Sequence, residues 1–393
     1  MTKLEILEII QNGENSGVEF KRDERSNKAF NEDFAKEVAA LSNLKGGKII
    51  IGVEDDGAIS GIIDSKCEEW VMNICRTLVS PGVIPYYEEI QINGGKRVAV
   101  VYIDIGYSKP YYVEKGERKI YYIRVGSTSR EATREDLSRL FQMSGAYHYD
   151  VAPVANTNIE NVDMGKVKRY FSTYHGIRMK NLTEAEVKNL LNNTDIIKKT
   201  DYGDVLTVGG LLMFGVKPQK FLPNTGVTFA YFLGDNISDT LLDRKVVEGT
   251  LAVLIDETVK TIIGNLKKPS KIKGLKRVEK MLPKEVFREA ITNAIAHRDY
   301  SIGAETRVYM FLNRIEVRSP GALPNTVTIE KMKIGGYPFP RNPLIAQYLR
   351  DLQYIDKLGR GVQMILRKTK ELGFSEPELK EEGEEFILTL FTK

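Results

Sequence analysis

Between residues 151 and 162 the chain reads VAPVANTNIENV, and the regular spacing of apolar residues that runs through both flanks stops there. On either side, helix-like and strand-like patterns alternate in short stretches. A chain of 393 residues interrupted at this point is expected to form two main α+β parts. The expected organisation is a first domain over 1–150, a linker and helical connector over 151–204, and a second domain over 205–393. With 42% hydrophobic and 28% charged residues, there is enough apolar material for two cores, and wholesale disorder is excluded. The two cysteines, Cys67 and Cys75, exclude a disulfide scaffold and a Cys-rich zinc site, and three histidines argue against a zinc site built on several of them. No apolar run reaches the roughly 18 residues of a membrane span. The opening MTKLEILEIIQNGENSG carries Glu5 and Glu8 inside its apolar stretch, unlike a signal peptide. A soluble, cytoplasmic protein is expected, with no membrane partner. The net charge of +4 is too small to name a partner, so any basic surface must come from local clustering.

The first half carries a short amphipathic helix on Leu4, Ile6, Leu7 and Ile10, then the alternating segment Val18-Glu19-Phe20-Lys21. The spacing of Phe34, Val38 and Leu41 predicts a helix over 32–44, capped by Asn31 and ended by Gly46-Gly47. A strand is expected over 48–53, with a turn at Asp56-Gly57, and the Thr133/Asp136 capping pattern opens a helix to about Phe141. In the second half, 205–216 and 225–233 read as strands, 247–266 and 284–296 as helices, and 319–341 as a long Gly- and Pro-rich loop. Residues 266–280 hold seven basic residues (Lys267, Lys268, Lys271, Lys273, Lys276, Arg277 and Lys280) against Glu279, whereas the acidic run from Glu376 to Glu385 reads as a solvated face.

Glu14 and Glu19 stand five apart around a Ser16-Gly17 turn, and Lys21 shares the strand face of Glu19 because side chains alternate with period two. Asp55 and Asp56 follow the 48–53 strand. Carboxylates so clustered suit Mg²⁺ or Mn²⁺, which prefer oxygen ligands and would activate water for attack on a phosphate, with Lys21 neutralising its charge. The alternative is structural: Glu14 solvated, Glu19 paired with Lys21 or Arg22, and the aspartates serving the turn. Arg22, Arg25, Lys28, Lys45, Lys48, Arg124, Arg130 and Arg134 are candidates for phosphate contact. Tyr111, Tyr112, Tyr121 and Tyr122 supply rings on which bases can stack.

Gly13-Glu14-x4-Glu19-Phe20-Lys21, the helix end Asn43-Leu44-Lys45-Gly46-Gly47, the segment from Ile51 to Gly57, and Tyr122-Ile123-Arg124-Val125-Gly126-Ser127 together resemble the AlbA-like core domain of the Schlafen family. The resemblance covers roughly residues 1–145. It implies a metal-dependent endoribonuclease acting on structured RNA such as tRNA, with Glu14, Glu19 and Asp55 (or Asp56) as the carboxylates that hold Mg²⁺ or Mn²⁺. Prokaryotic relatives with the same residues are described as nucleic-acid-binding regulators.

In the second half, Arg288-Glu289-x3-Asn293 places Glu289 and Asn293 on one helix face. There Glu289 would serve as general base and Asn293 as a Mg²⁺ ligand. Gly359-Arg360-Gly361 precedes a helix whose first N–H groups suit a phosphate. The structural alternative is a salt bridge for Glu289 and a helix cap for the glycines. This region, about 205–391, resembles the divergent GHKL-type ATPase module of RecG-related transcriptional regulators, which implies ATP binding at Glu289, Asn293, Gly359 and Gly361 or a structural or dimerising role. It departs from that superfamily where an Asp-x-Gly box should read adenine: the stretch is Arg318-Ser319-Pro320-Gly321. Many relatives continue into a winged helix, and none is expected before Lys393.

The expected fold class is therefore α+β, a Schlafen-type AlbA-like domain followed by a GHKL-like α/β sandwich. The expected function is metal-dependent cleavage of structured RNA. The alternative is non-catalytic DNA binding by a transcriptional regulator with an ATP-sensing or dimerising module. The expected partners are RNA or DNA and a second copy of the chain in a homodimer.

Overall fold

The computed structural model describes residues 1–201, 203–266, 281–324, 327–335, 339–356 and 358–392. The basic run read over 266–280 lies outside the described residues, apart from Leu266. The chain divides into two compact units, Met1–Tyr147 and His148–Lys393.

The first unit runs α1 (Lys3–Asn12), β1 (Val18–Lys21), α2 (Lys28–Asn43), β2 (Gly47–Ile51), α3 (Cys67–Thr77), β3 (Val79–Ser80), β4 (Tyr86–Gln91), β5 (Arg97–Ile103), β6 (Tyr112–Lys115), β7 (Arg118–Val125), β8 (Thr128–Glu131) and α4 (Arg134–Met143). One sheet has the order β1-β2-β5-β4 with β1 and β2 parallel, and a second has the order β3-β6-β7-β8. Strand alternation divides the first sheet between two cores. Ile49 and Ile51 of β2 face Phe34, Val38 and Leu41 of α2, whereas Ile50 joins Phe20 and the α1 residues Ile6 and Ile10.

α2 begins four residues before the helix expected from the sequence. Asn27, not Asn31, is its cap, and its side-chain oxygen accepts from the Ala29 N–H at 2.9 Å. Asn31 instead accepts from the indole Nε1 of Trp70 at 3.0 Å, because a tryptophan packed on Phe30 and Phe34 needs a partner for its only donor. At the other end, the buried Asn43 Nδ2 donates to the carbonyls of Tyr111 (2.8 Å) and Tyr122 (2.9 Å), and Oδ1 accepts from the Tyr111 N–H at 2.7 Å. One amide thus ties α2 to β7 and to the residue that leads into β6.

The second unit runs α5 (Met164–Tyr174), α6 (Glu184–Asn193), β9 (Ile197–Thr200), β10 (Gly203–Leu206), α7 (Val208–Phe214), β11 (Val227–Phe232), β12 (Leu241–Val247), α8 (Leu251–Leu266), α9 (Lys284–Ala296), β13 (Thr306–Met310), β14 (Arg314–Pro320), α10 (Ile329–Ile334), α11 (Pro343–Asp351), α12 (Gly361–Glu371), β15 (Glu378–Glu382) and β16 (Glu385–Phe391). Its six-stranded sheet has the order β12-β11-β13-β14-β16-β15 and is antiparallel except for the β11–β13 pair. Helices α7, α8, α9, α11 and α12 share one core with one face of the sheet. Residues 151–162 contribute Ala152, Val154 and Val162 to that core. Their sequence loses its period because they bridge between elements, Pro153 to Thr207 and Val162 to Gly215, rather than forming one.

The segment 205–216, expected as a strand, is β10 followed by the buried helix α7. A short, wholly apolar run such as VGGLLMF fits either element when buried on all sides, and period alone cannot choose. The choice falls to Thr207, whose hydroxyl caps α7 at the Gly210 N–H (2.9 Å), and to Gly210, where a Cβ would stand 2.1 Å from the Ile196 carbonyl oxygen. In the stretch expected as a long loop, β14 extends to Pro320 and α10 occupies Ile329–Ile334. The acidic run forms β15 and the start of β16.

The single tryptophan, Trp70, lies in the first unit and so reports its unfolding. Replacing Asn43 with Ala removes three buried hydrogen bonds worth about 1 kcal/mol each. Urea unfolding followed by Trp70 fluorescence is expected to show a loss of about 3 kcal/mol.

Candidate functional site

On β1, alternation turns Glu19 and Lys21 toward α2, where helical spacing lines up Asp33, Lys36 and Glu37. Arg124 enters from β7 with a fully buried side chain. Its Nη1 donates to Glu37 Oε2 at 2.6 Å and lies 2.7 Å from Glu19 Oε2. Its Nη2 donates to the carbonyls of Asn15 (2.9 Å) and Val18 (3.1 Å). The contact with Glu19 is an ion pair without hydrogen-bond alignment, so Glu19 Oε2 and Arg124 Nε have no hydrogen-bond partner. Lys21 Nζ joins Glu19 (2.7 Å) to Asp33 (2.9 Å), Lys36 reaches Asp33 and Glu37, and the Ser129 hydroxyl donates to Glu37 at 2.6 Å. Three carboxylates and three cations therefore balance one another, from the enclosed Arg124 to the partly exposed Asp33 and Lys36.

Burial, followed by repulsion from Glu37, raises the Glu19 carboxyl above its ordinary range, against the opposing pull of Lys21 and Arg124. Burial would lower Lys21, but its bonds to Glu19 and Asp33 outweigh that and hold it above an ordinary lysine. The same Lys21 contact keeps Asp33 below the usual carboxylate range despite its burial.

The other carboxylates read from the sequence lie apart from this network. Glu14 Oε1 accepts from the Phe20 N–H at 2.8 Å, and Asp55 is exposed on the turn after β2, while Asp56 accepts from the Ala58 N–H at 2.9 Å. Among the described residues, no three His, Cys, Asp or Glu side chains gather in a group that would hold a metal ion. Glu14 is engaged by main chain and Glu19 by two cations, so these residues do not fit a Mg²⁺ or Mn²⁺ centre. The pairing of Glu19 with Lys21, one element of the structural alternative, is present.

Of the basic residues, Arg124 presents no charge to the surface, because its side chain is enclosed. Arg25 is held by Asp23 (2.7 Å) and Asp64 (3.0 Å), and Lys48 lies half-buried 5.7 Å from the Tyr102 ring centre. Arg22 is exposed within 4 Å of Glu24 and Glu54, and Arg130 is exposed beside Asp136 at 3.0 Å. Lys28, Lys45 and Arg134 are exposed. Tyr111 is buried, whereas Tyr112 and Tyr121 pair at the surface with Lys119 over the Tyr112 ring at 4.9 Å.

In the second unit, the residues singled out from the sequence do come together. Asn293 Nδ2 donates to Glu289 Oε1 at 3.0 Å on α9. Gly361, the first residue of α12, lies so close that a Cβ there would fall 1.6 Å from the same oxygen. Glu289, Asn293, Gly359 and Gly361 line one cavity of about 690 Å³. Apolar side chains, among them Val317, Ile365 and Leu388, form much of its wall, and Ser319 and Gly321 lie along it. No carboxylate occupies the Arg318-Ser319-Pro320-Gly321 stretch. The Ser319 hydroxyl instead donates to the Ala294 carbonyl at 2.7 Å.

Burial raises the Glu289 carboxyl above its ordinary value, partly offset by the Asn293 hydrogen bond. His297, also on the cavity wall, is pushed down to about 4 by burial and by the Arg341 charge, so it is neutral at pH 7. Sequence reasoning gave His297, which follows the Glu289-x3-Asn293 motif, no role, and it missed Asp33, Lys36 and Glu37 in the first unit. The available signal for Glu37 was a charge set among the apolar positions Phe34, Val38 and Leu41.

Removing Arg124 leaves buried carboxylates uncompensated, and the cost of breaking such a pair is about 3–5 kcal/mol. Arg124→Met is expected to lose that much in Trp70-monitored urea unfolding. The raised Glu289 carboxyl contributes a stability that is full below 4.5, its unfolded value, and is lost as pH rises through the higher native value. Glu289→Gln is therefore expected to slow hydrogen exchange of α9 amides relative to wild type at pH 7–8, with the difference vanishing below about pH 4.5.

The same two regions appear in comparisons with known proteins. Residues 14–133 match the model of the family "Schlafen, AlbA_2", and residues 303–390 match that described as "Putative ATP-dependent DNA helicase recG C-terminal", an HATPase-type model. The second match begins after Glu289 and Asn293 and includes Gly359 and Gly361. No curated protein matches the chain. Among solved structures, the DIP2311 protein from Corynebacterium diphtheriae is 21% identical, with a TM-score of 0.46 over 96% of this chain, which spans 65% of that protein's chain. The N-terminal domain of a protein from Nitrosomonas europaea, described as "Putative ATP-dependent DNA Helicase RecG-related Protein", is 23% identical, with a TM-score of 0.26 over 34% of this chain and 94% of its own. No helix among the described residues is long and apolar enough to cross a membrane. Residues 14–133 are thus similar to the Schlafen AlbA_2 family and residues 303–390 to the RecG C-terminal, HATPase-type family.

Proposed function

We propose that this chain is a nucleic-acid-binding protein whose C-terminal domain takes a purine nucleotide. The observation that carries the proposal is the cavity where Glu289, Asn293 and the Gly359–Gly361 turn meet. Its apolar wall suits a base, and the first N–H groups of α12 suit a phosphate. Asn293 and Glu289 would meet the Mg²⁺-bearing phosphate end, with Glu289 placed as a proton acceptor.

The nucleic-acid part of the proposal draws on the Schlafen match and on the exposed cations Lys28, Lys45 and Arg134 of the first unit. Cleavage of structured RNA is the finer form of this reading. It requires Glu19 to be released from Lys21 and Arg124.

The experiment is titration of a fluorescent ATP analogue with Mg²⁺, and of labelled tRNA, single-stranded RNA and duplex DNA at two salt concentrations. Asn293→Ala and Gly361→Val are expected to weaken nucleotide binding at least tenfold, the latter because its side chain strikes Glu289. Lys28→Ala with Arg134→Ala is expected to weaken nucleic-acid binding and flatten its salt slope by roughly one per lost phosphate contact. Nucleotide binding unaffected by either cavity variant overturns the nucleotide site. Mn²⁺-dependent cutting of tRNA that disappears in Glu19→Ala would establish cleavage, and intact tRNA in every metal would leave binding alone.

A further inference from the structure

Three polar residues spaced by four line the cavity of the second unit along α9: Glu289, Asn293 and His297. His297 caps the helix, and its N–H still donates to the Asn293 carbonyl at 3.0 Å, so helical spacing holds to that point. Residues four apart share a helix face, and eight steps of rise separate Glu289 from His297 by about 12 Å. The two ends of this row have different neighbours. At the Glu289 end stands the start of α12, where Gly361 has no room for a Cβ. At the His297 end stands the end of β14. Ser319 donates to the Ala294 carbonyl at 2.7 Å, and a Cβ on Gly321 would fall 2.7 Å from the Cβ of Asp299. A nucleotide with its phosphates at Glu289 and α12 therefore turns its base toward His297.

Ala294, Val317 and Ala322 give the His297 end apolar walls. The stretch from Arg318 to Gly321 brings no carboxylate to it, and the Ser319 hydroxyl proton is already given to Ala294. Among the described residues, neither ring nitrogen of His297 takes part in a hydrogen bond. The nearby Arg341 charge works against a second proton on the ring, which is neutral at pH 7. A carboxylate only accepts a hydrogen bond. A nitrogen of a neutral imidazole donates in one tautomer and accepts in the other, and here no partner within the described residues fixes the choice.

Resting on the nucleotide reading above, we propose that His297 reads the 6-position of a purine base. It donates to the 6-oxygen of guanine or hypoxanthine and accepts from the 6-amino group of adenine, so the cavity takes both kinds of purine nucleotide. The test is displacement of the fluorescent ATP analogue from the full chain, with Mg²⁺, by three competitors. These are ATP, inosine triphosphate and purine riboside triphosphate, which has only hydrogen at position 6. Wild type is expected to bind the first two within a few-fold of each other and the third about tenfold more weakly, for one lost hydrogen bond. His297→Phe is expected to bring the first two down to the level of the third while leaving the third within a few-fold of wild type, which also shows that the cavity is intact. His297→Asp, which only accepts, is expected to favour ATP over inosine triphosphate at least tenfold. Equal weakening of all three by His297→Phe marks a packing role and overturns the proposal. So does a wild type that binds purine riboside triphosphate as well as ATP, or an Asp variant with unchanged preference. If those results fail while Asn293→Ala still abolishes binding, the nucleotide site stands without this role for His297, whereas a wild type that binds none of the three overturns both.

Discussion

A guanidinium with no exposed surface must find partners within the fold, and Arg124 finds them in three places at once. It holds Glu19 on β1, Glu37 on α2 and the main-chain carbonyls of Asn15 and Val18. The turn before β1, the central helix and the second sheet therefore meet at one side chain. Moving any of them leaves a buried charge exposed to low dielectric without compensation, a cost far larger than that of losing a surface ion pair. The buried Asn43 amide links the far end of α2 to the same sheet without any charge.

This arrangement gives Glu19 a role different from the one its spacing first implies. A carboxylate available to a divalent cation must have free lone pairs and neighbouring oxygens. Glu19 has cations as neighbours instead, and Glu14 is engaged by the Phe20 N–H. In the second unit the relation is reversed. Glu289 is half-buried with a neutral amide and a glycine for company, facing a cavity rather than a cation. Its place on a cavity wall against the start of α12, with no cation bound to it as Lys21 and Arg124 bind Glu19, makes it the more chemically available of the two glutamates.

Much of the local structure was legible in the sequence. The Glu289-x3-Asn293 spacing placed two side chains on one face because a helix repeats every 3.6 residues, and the structure has them hydrogen-bonded. The Thr133/Asp136 capping box is present with both of its bonds. Legibility failed where neighbours decide. Asn31 and Asn27 are equally good caps by residue type, and Trp70 claimed the first. The apolar run of α7 fits a strand or a helix, and the close approach of Gly210 to Ile196 admits the helix. Arg124 looked like one more basic residue, since nothing local records that a side chain 87 positions away from Glu37 will be enclosed beside it.

By itself, the sequence determined the alternation of helices and strands, the two α+β halves and the residue types able to meet phosphate, because these follow from short-range spacing along one chain. Only the tertiary structure decided which charges are spent on one another. It buried Arg124 between Glu19 and Glu37, left Asp55 on an exposed turn, and brought Gly361 of α12 against Glu289 of α9. Electrostatic pairing depends on distance and burial in three dimensions, and neither is encoded by the separation of residues along the chain.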